Sequence, residues 1–366
     1  MTAKNYRVAI IGSGRMGGLI EDEIAAGNFS KPYGHFPAYA AIAETEVVAV
    51  ANRGVERLAR FATRFDITNT YLDYREMIEK EKPDIVSVTT PSFARAAPII
   101  FAAEHGVAGI YAEKGLCASL EEADQIVAAC NANKVAFNWG AMRRHHDGYK
   151  KLQAAIARGD IGEPRFATMY FYTDLIKHHP HTLDLVSMLL GDPQPLWVEG
   201  ALVETGDAAD PTPRRPHPIY DAAGHRYLPS PGFEVGDPMV GFYRVGYAGG
   251  AEGLFVPRRG GFEIDVLGSE GRASVSEKGG DFRIRRTNAK TQATEETIVH
   301  PTGESPTICA IRDIVHELET GERTQGNLAI TMQSVEAQFG LAHSHLQGGK
   351  RVTLPVADRT LHIPGG

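Results

Sequence analysis

Six residues near the start of the chain, Gly12-Ser13-Gly14-Arg15-Met16-Gly17, have the glycine spacing of a phosphate cradle. They follow a β-branched, apolar run, Arg7 to Ile11, and precede a stretch read as a helix. In that setting Gly12 permits a tight turn, Gly14 lets the backbone approach a pyrophosphate, and Gly17 lets helix and strand pack closely. Amides at the helix start would hold the phosphates, so Gly12, Ser13, Gly14, Arg15 and Met16 are the expected dinucleotide contacts. The second predicted strand ends Val50-Ala51-Asn52-Arg53, without the acid that takes ribose hydroxyls. Asn52 brings no charge to repel a 2'-phosphate and Arg53 brings a guanidinium to bind one, so NADP is expected over NAD. The plainer alternative has Arg53 stacking on adenine or lying in solvent.

Further along, Lys114 stands at the carboxyl end of a predicted parallel strand, the edge at which such sheets bind ligands. His181 follows Pro180 and begins a run with helical apolar spacing, which puts it in a first helical turn. The positive end of the helix dipole disfavours imidazolium, so His181 is expected to be a neutral general base. Lys177 has three readings: a second cation that lowers the pKa of Lys114 or its own, a binder of an acidic substrate group, or a side chain outside the cleft. The stretch from Ala26 to Pro37 is expected to rim the cleft, with Tyr33 and His35 stacking on and hydrogen-bonding a sugar.

Elements able to position these groups are legible in the rest of the chain. Its 366 residues suggest two domains, divided here as 1–142 and 143–366. With 43% hydrophobic and 23% charged residues the composition is that of a soluble globular protein, and a net charge of -7 argues against nucleic acid or an anionic membrane as partner. No apolar run approaches membrane-spanning length, no export signal is read, and Cys117, Cys130 and Cys309 suggest neither disulfides nor a zinc site, so a cytoplasmic location is expected.

The first part alternates strands (Arg7 to Ile11, Glu46 to Ala51, Asp84 to Thr89, Val107 to Ala112, Val135 to Trp139) with helices (Val55 to Phe65, Ala94 to His105, Leu120 to Asn133), the pattern of a doubly wound α/β sheet. Ser119 and Glu122 form a capping box for the last helix. After a helix from Tyr149 to Ala157 the texture becomes α+β. Strands are expected at Arg165 to Thr173, Trp197 to Val203, Met239 to Gly246, Glu252 to Val256, Phe262 to Gly268 and Gly271 to Ser276, in a large open, mainly antiparallel sheet. The proline-rich stretch from Thr205 to Pro238 reads as a long loop.

Taken together, the glycine fingerprint, Thr89-Thr90-Pro91, Glu113-Lys114-Gly115, His181-x-x-Asp184, Gly268-Ser269-Glu270-Gly271 and the closing Val352-Thr353-Leu354-Pro355 resemble the glucose-fructose oxidoreductase, inositol dehydrogenase and rhizopine catabolism family, Gfo/Idh/MocA. The resemblance implies an N-terminal Rossmann domain, a C-terminal sheet domain that mediates homo-oligomers, and hydride transfer between NAD(P) and a secondary hydroxyl of a sugar, polyol or glycoside. It places Lys114 beside the reacting hydroxyl and the nicotinamide, as a catalytic and cofactor-contacting residue. It also assigns Thr90, Pro91, Glu113 and Arg144, with its neighbour Arg143, to the cofactor crevice.

The chain departs from the family pattern in three places: Gly115 replaces a proline, Lys177 replaces an aspartate four residues before the histidine, and Arg95 replaces a histidine. Hydride transfer from an alcohol needs no metal, so the cluster of His178, His179, His181 and Asp184, like His145 with His146, is not expected to bind one; His178, His179 and Asp184 are expected to hydrogen-bond substrate. Two other outcomes stay open at this stage. One is glycoside cleavage by transient oxidation, elimination, hydration and re-reduction; the other is a non-catalytic dinucleotide sensor.

Overall fold

The chain builds two large sheets from two kinds of strand. The computed structural model describes residues 5–23, 30–203, 219–220, 226–227, 237–276, 279–287, 290–291 and 293–365. In the first sheet the strands are β1 (Tyr6–Ile11), β2 (Thr45–Ala51), β3 (Thr70–Tyr71), β4 (Ile85–Val88), β5 (Gly109–Ala112) and β6 (Ala136–Trp139). They run in the order β3-β2-β1-β4-β5-β6, and every pairing is parallel. Strands β4, β5 and β6 are buried at every position, as strands covered on both faces must be. Chain order reverses between β1 and β4, which places the ligand crevice at their carboxyl ends.

Helices α2 (Val55–Phe65), α3 (Tyr74–Glu81), α4 (Ala96–Glu104) and α5 (Leu120–Ala132) connect these strands. The capping box is formed: Ser119 Oγ accepts from Glu122 N at 3.2 Å and Glu122 accepts from Ala118 N at 2.8 Å. One expectation is corrected. No α-helix follows the glycine fingerprint directly; residues 15–18 form turns, a 3-10 helix spans Leu19–Asp22, and the α-helix α1 (His35–Ala40) comes only after the chain has made an excursion. Its amides nevertheless dock on the fingerprint turn, His35 N to Met16 O and Phe36 N to Gly17 O, both at 2.9 Å. The helix start at His35 is thus joined through space to the fingerprint turn.

After α6 (Asp147–Ala157), β7 (Pro164–Tyr170), α7 (Pro180–Leu189) and β8 (Pro195–Leu202), a short antiparallel pair joins β9 (Ile219–Tyr220) to β10 (Arg226–Tyr227). The rest of the loop expected from Thr205 onward, as far as residue 236, lies outside the described residues. Then come β11 (Val240–Tyr247), β12 (Glu252–Val256), β13 (Glu263–Gly268), β14 (Gly271–Ser276), β15 (Asp281–Thr287), β16 (Thr294–Val299), α8 (Pro306–Thr320), α9 (Leu328–Leu346) and β17 (Val352–Thr353). Nine of these strands form one sheet, β16-β15-β14-β13-β7-β12-β11-β8-β17, antiparallel throughout except for the parallel pair β12 and β7. Helix α8 returns to the first sheet, where Ile308, Ile311 and Ile314 pack with Val8, Ile85 and Tyr111. A single cut after Met142 therefore leaves one covering helix of the first sheet in the second half. No helix among the described residues is long and apolar enough to cross a membrane.

Candidate functional site

A crevice of about 780 Å³ opens at the switch point between β1 and β4, lined by Gly12, Gly14, Asn52, Arg53, Thr90 and Pro91 among others. The three fingerprint glycines meet different demands there. Gly12 has φ +107°, and a β-carbon on it would stand 2.5 Å from Thr89 Oγ1. Thr89 in turn donates to Gly12 O at 2.8 Å. At Gly17 a β-carbon would meet Gly12 O at 2.5 Å, so this position serves packing. At Gly14 it would meet nothing within 4 Å, because that residue faces the open crevice. Ser13 is fully buried beside them, with an Oγ that has no hydrogen-bond partner among the described residues. A backbone held open at Gly14, a buried unsatisfied hydroxyl and a long crevice fit a dinucleotide.

Towards the far end of the crevice, Arg57, Arg60 and Arg75 join Arg53 in its lining. Sequence reasoning found only Arg53. Arg57 and Arg60, three residues apart on α2 and close behind Arg53, were the available signal. Asn52 turns its amide to Gly54 O, 3.1 Å away, and Arg15 pairs with Glu23. Thr90 Oγ1 donates to Ala94 O at 3.0 Å, which shapes the turn leading to Pro91.

On the neighbouring strand end, Lys114 follows β5 with its side chain only 12% exposed. Burial, with Arg95 and Lys177 nearby, lowers its pKa against the opposing pull of Glu113 and Asp174. Glu113 is not among the residues that line the crevice. It is buried behind the lysine, where it accepts from Lys114 N at 3.2 Å and contacts His35 Nε2 at 3.2 Å, with Lys114 Nζ 3.9 Å from Oε2. Burial would raise the Glu113 pKa, but His35, Lys114 and Arg95 bring it down to about 2.

This corrects the expectation for His35. Its ring is fully buried, holds Ser87 Oγ at 2.5 Å through Nδ1, and stacks on Tyr111 with centroids 4.5 Å apart. Docking of α1 on the fingerprint turn carries the histidine inward. Tyr33 is likewise buried, at 3% exposure; its amide donates to Glu21 and its carbonyl accepts from Thr307 Oγ1 at 3.1 Å. Neither side chain rims the cleft.

The loop between β7 and α7 supplies the opposite wall. Asp174, which sequence reasoning did not single out, accepts from His178 N and His178 Nδ1, both at 2.8 Å. The aspartate-to-histidine spacing of four residues was visible in the sequence, three positions upstream of where the family pattern puts it. Burial would raise the Asp174 pKa, but the bond and charge of His178 hold it below the usual range. Asp237 accepts from Ile176 N at 2.7 Å and Lys177 N at 2.8 Å, and Leu175 N donates to Pro238 O at 2.8 Å, so this loop is anchored on both sides. The Lys177 side chain is exposed and His178 half-exposed.

His181 is the second residue of α7 and 9% exposed; its Nδ1 is buried with no hydrogen-bond partner among the described residues. Burial, then the charges of Arg143, Lys114 and His178, hold it well below the usual imidazole range, so it is neutral. Three other expectations change. Asp184 is buried and receives Arg144 Nε at 3.0 Å, while the same guanidinium donates to Asp192 at 2.8 Å. Asp184 is therefore not available to a substrate, nor Arg144 to a cofactor; together they anchor α7 and so aim His181. His179 is 1% exposed and bonded to Tyr243 Oη and Thr182 Oγ1. Arg143 packs its guanidinium 3.8 Å over the ring of Phe262.

The site thus brings together Lys114, Asp174, Lys177, His178 and His181 beside a dinucleotide-shaped crevice. Residues 6–141 match GFO_IDH_MocA, an oxidoreductase family with an NAD-binding Rossmann fold. Among curated proteins the chain is 31% identical over 135 residues to dTDP-3,4-didehydro-2,6-dideoxy-alpha-D-glucose 3-reductase of Saccharopolyspora spinosa, covering 37% of this chain and 40% of that enzyme. It is 26% identical over 208 residues to D-apiose dehydrogenase of Paraburkholderia graminis, covering 52% and 51%. The matched stretches therefore span about half or less of these relatives. Over 96% of this chain and 100% of the other, the fold is that of levoglucosan dehydrogenase solved with NADH and L-sorbose, at a TM-score of 0.76 and 18% identity. Over residues 6–141 the chain thus resembles the NAD-binding Rossmann domain of the Gfo/Idh/MocA oxidoreductases, and over nearly its whole length it shares their fold.

Proposed function

We propose that this protein is an NAD(P)-dependent oxidoreductase that moves a hydride between a secondary hydroxyl carbon of a sugar, polyol or glycoside and the nicotinamide, with NADP preferred. The observation that carries this reading is the convergence of Lys114 with Asp174, His178 and His181 on the carboxyl edge of β5, next to the crevice at Gly14. When bound, the dinucleotide supplies the hydride acceptor or donor. The substrates named for the relatives above, a dideoxy sugar nucleotide and apiose, support a carbohydrate here.

The chain's own residues divide the remaining work. Lys114, nearly buried and with its pKa lowered, orients the substrate hydroxyl and shares its proton. The Asp174 carboxylate holds the Nδ1 proton of His178 and leaves Nε2 to accept one, while neutral His181 completes the hydrogen bonding around the oxygen. Lys177, exposed at the mouth, suits an acidic or hydroxyl group of substrate better than proton transfer. Burial around Lys114 and His181 excludes water from the reacting carbon.

The NADP preference rests on Arg53, Arg57, Arg60 and Arg75, a set able to hold a phosphate with charge-assisted bonds; they outnumber the two acids of the same lining, Glu56 and Asp73, the latter 3.6 Å from Arg75. Self-association through the larger sheet is part of the same proposal. Along β7, β11 and β13 one face is buried and the other displays Phe166, Phe242 and Leu267, and the edge strand β16 adds Ile298, each more than 40% exposed. Incubation with NADP⁺ or NAD⁺ and a panel of aldoses, polyols and glycosides, followed by nicotinamide absorbance, tests the activity. Absence of reduction with every member, in protein that binds the dinucleotide, would sink the redox reading.

A further inference from the structure

Two departures from the family pattern, Arg95 and Gly115, meet in space. Gly115 follows Lys114, and a glycine there leaves the backbone next to the lysine free to rotate where a proline would restrain it. Arg95 is 3% exposed and sits just before α4, in the turn that follows Pro91. Its guanidinium donates through one nitrogen to the carbonyl of Gly115 and through the other to the carbonyl of Thr90. Those carbonyls lie in the turns that follow adjacent strands, β4 and β5. From the other side, Ile176 O and Ile176 Cγ2 press on Gly115, at 2.5 and 2.7 Å from where a β-carbon would stand.

We propose that Arg95 is a positioning residue for Lys114: its planar fork clamps the Thr90 and Gly115 turns together, replacing by hydrogen bonding the restraint that a proline would supply covalently. The inference rests on the role given to Lys114 above. A guanidinium suits the task because it presents two fixed donors at once, whereas an ammonium or imidazole cannot span both carbonyls in one plane. The same group sets the field at the lysine. Burial lowers the Arg95 pKa only to about 10, so it stays cationic, and that charge joins burial in favouring the neutral amine of Lys114. Glu113 and Asp174 oppose it, and Lys177 reinforces it. A single arginine therefore fixes the backbone of Lys114 and biases its protonation.

The experiment uses Arg95→Lys and Arg95→Met in the full-length chain and needs no substrate. Hydrogen exchange measured on the peptide spanning residues 113–118 reports the clamp. Reductive methylation with ¹³C-formaldehyde, with Lys114→Arg to assign the resonance, reports the titration of Lys114 directly. Faster exchange at 113–118 is expected in both variants, because neither can bridge two carbonyls. The Lys114 titration should rise by about one pH unit in Arg95→Met and stay near wild type in Arg95→Lys, which keeps the charge. A role confined to stability would not separate the two variants in this way.

Exchange at 113–118 unchanged in folded Arg95→Lys overturns the clamp, and an unmoved Lys114 resonance in Arg95→Met overturns the electrostatic half. If Arg95→Met fails to fold, Arg95→Lys alone decides the clamp, and Arg95→Gln replaces it for the charge. Titration of wild-type protein with NADPH is read separately: failure to bind would remove the proposed function and leave both readouts intact.

Discussion

The carbonyl oxygen of Ile176 lies 2.5 Å from the place a β-carbon on Gly115 would occupy. The loop that carries Asp174, Lys177 and His178 thus rests directly on the backbone next to Lys114, and the replacement of the family's proline by glycine is what makes room for it. Gly115→Ala forces the backbone of Ile176 to move. A loss of about 1–3 kcal/mol, the usual range for overpacking, is expected in thermal or denaturant melts. Wild-type stability in this variant would show that the two loops are not pressed together.

Gly14 and Gly17 differ in the same way. A β-carbon at Gly14 enters open crevice, whereas at Gly17 it strikes Gly12 O. Gly14→Val should fold with a near wild-type melting temperature and lose NADPH binding by more than tenfold, and Gly17→Val should be destabilised outright. Fluorescence titration paired with melting curves checks both. Undiminished affinity in folded Gly14→Val would move the pyrophosphate elsewhere.

What could be read from the sequence depended on how local each requirement was. The fingerprint glycines, the Ser119 cap and the strand runs from Arg7 and Val135 are demands of a few neighbouring residues, so they were legible. His35 was misjudged because its partners, Ser87 and Glu113, are 52 and 78 positions away. The insertion that made it look exposed folds back on the fingerprint turn. Arg144 and Asp184 had the right types for a crevice, yet 40 residues of separation hid a buried ion pair. Asp174 was the avoidable miss: an aspartate four residues before a histidine is a short-range signal, and only the family register, which points to Lys177, drew the reading away from it.

Cofactor preference follows from the arginines along the crevice. Arg53→Ala is expected to weaken NADP by roughly 10- to 100-fold, the equivalent of one charge-assisted bond, and NAD by much less. Arg57→Ala should show the same bias. Paired calorimetric titrations with the two cofactors measure it. Equal losses for both would leave the NADP preference without support.

Acid stability should report on Glu113. Its pKa in the folded chain is about 2 against an ordinary 4.5, because His35, Lys114 and Arg95 outweigh burial. A depressed carboxylate contributes stability that is complete above about pH 4.5 and is lost as the pH falls towards 2. The contribution at neutral pH is on the order of 2–3 kcal/mol. Glu113→Gln should therefore melt lower than wild type at neutral pH, with the two curves approaching each other below about pH 4.5 and converging towards about pH 2. Parallel curves over that range would mean that Glu113 is not the charged partner of this cluster.

The division of labour among the site's bases is decided by kinetics once a substrate is in hand. Lys114→Ala, His178→Ala and His181→Ala should each bind NADPH normally, because none of them lines the crevice at Gly14. Loss of a general acid or base typically costs about 100- to 10,000-fold in turnover. Asp174→Asn keeps the shape but weakens the hold on the His178 Nδ1 proton, so it should reproduce much of the His178→Ala defect and add little to it in the double variant. His181 has no carboxylate partner and an unpartnered Nδ1, so its removal should cost turnover without coupling to Asp174. Lys177→Ala should raise the Michaelis constant and spare turnover, as expected of an exposed group that touches substrate. If His181→Ala instead couples fully to Asp174→Asn while His178→Ala turns over normally, the proton acceptor is His181, and the Asp174 and His178 pair serves only to shape the loop.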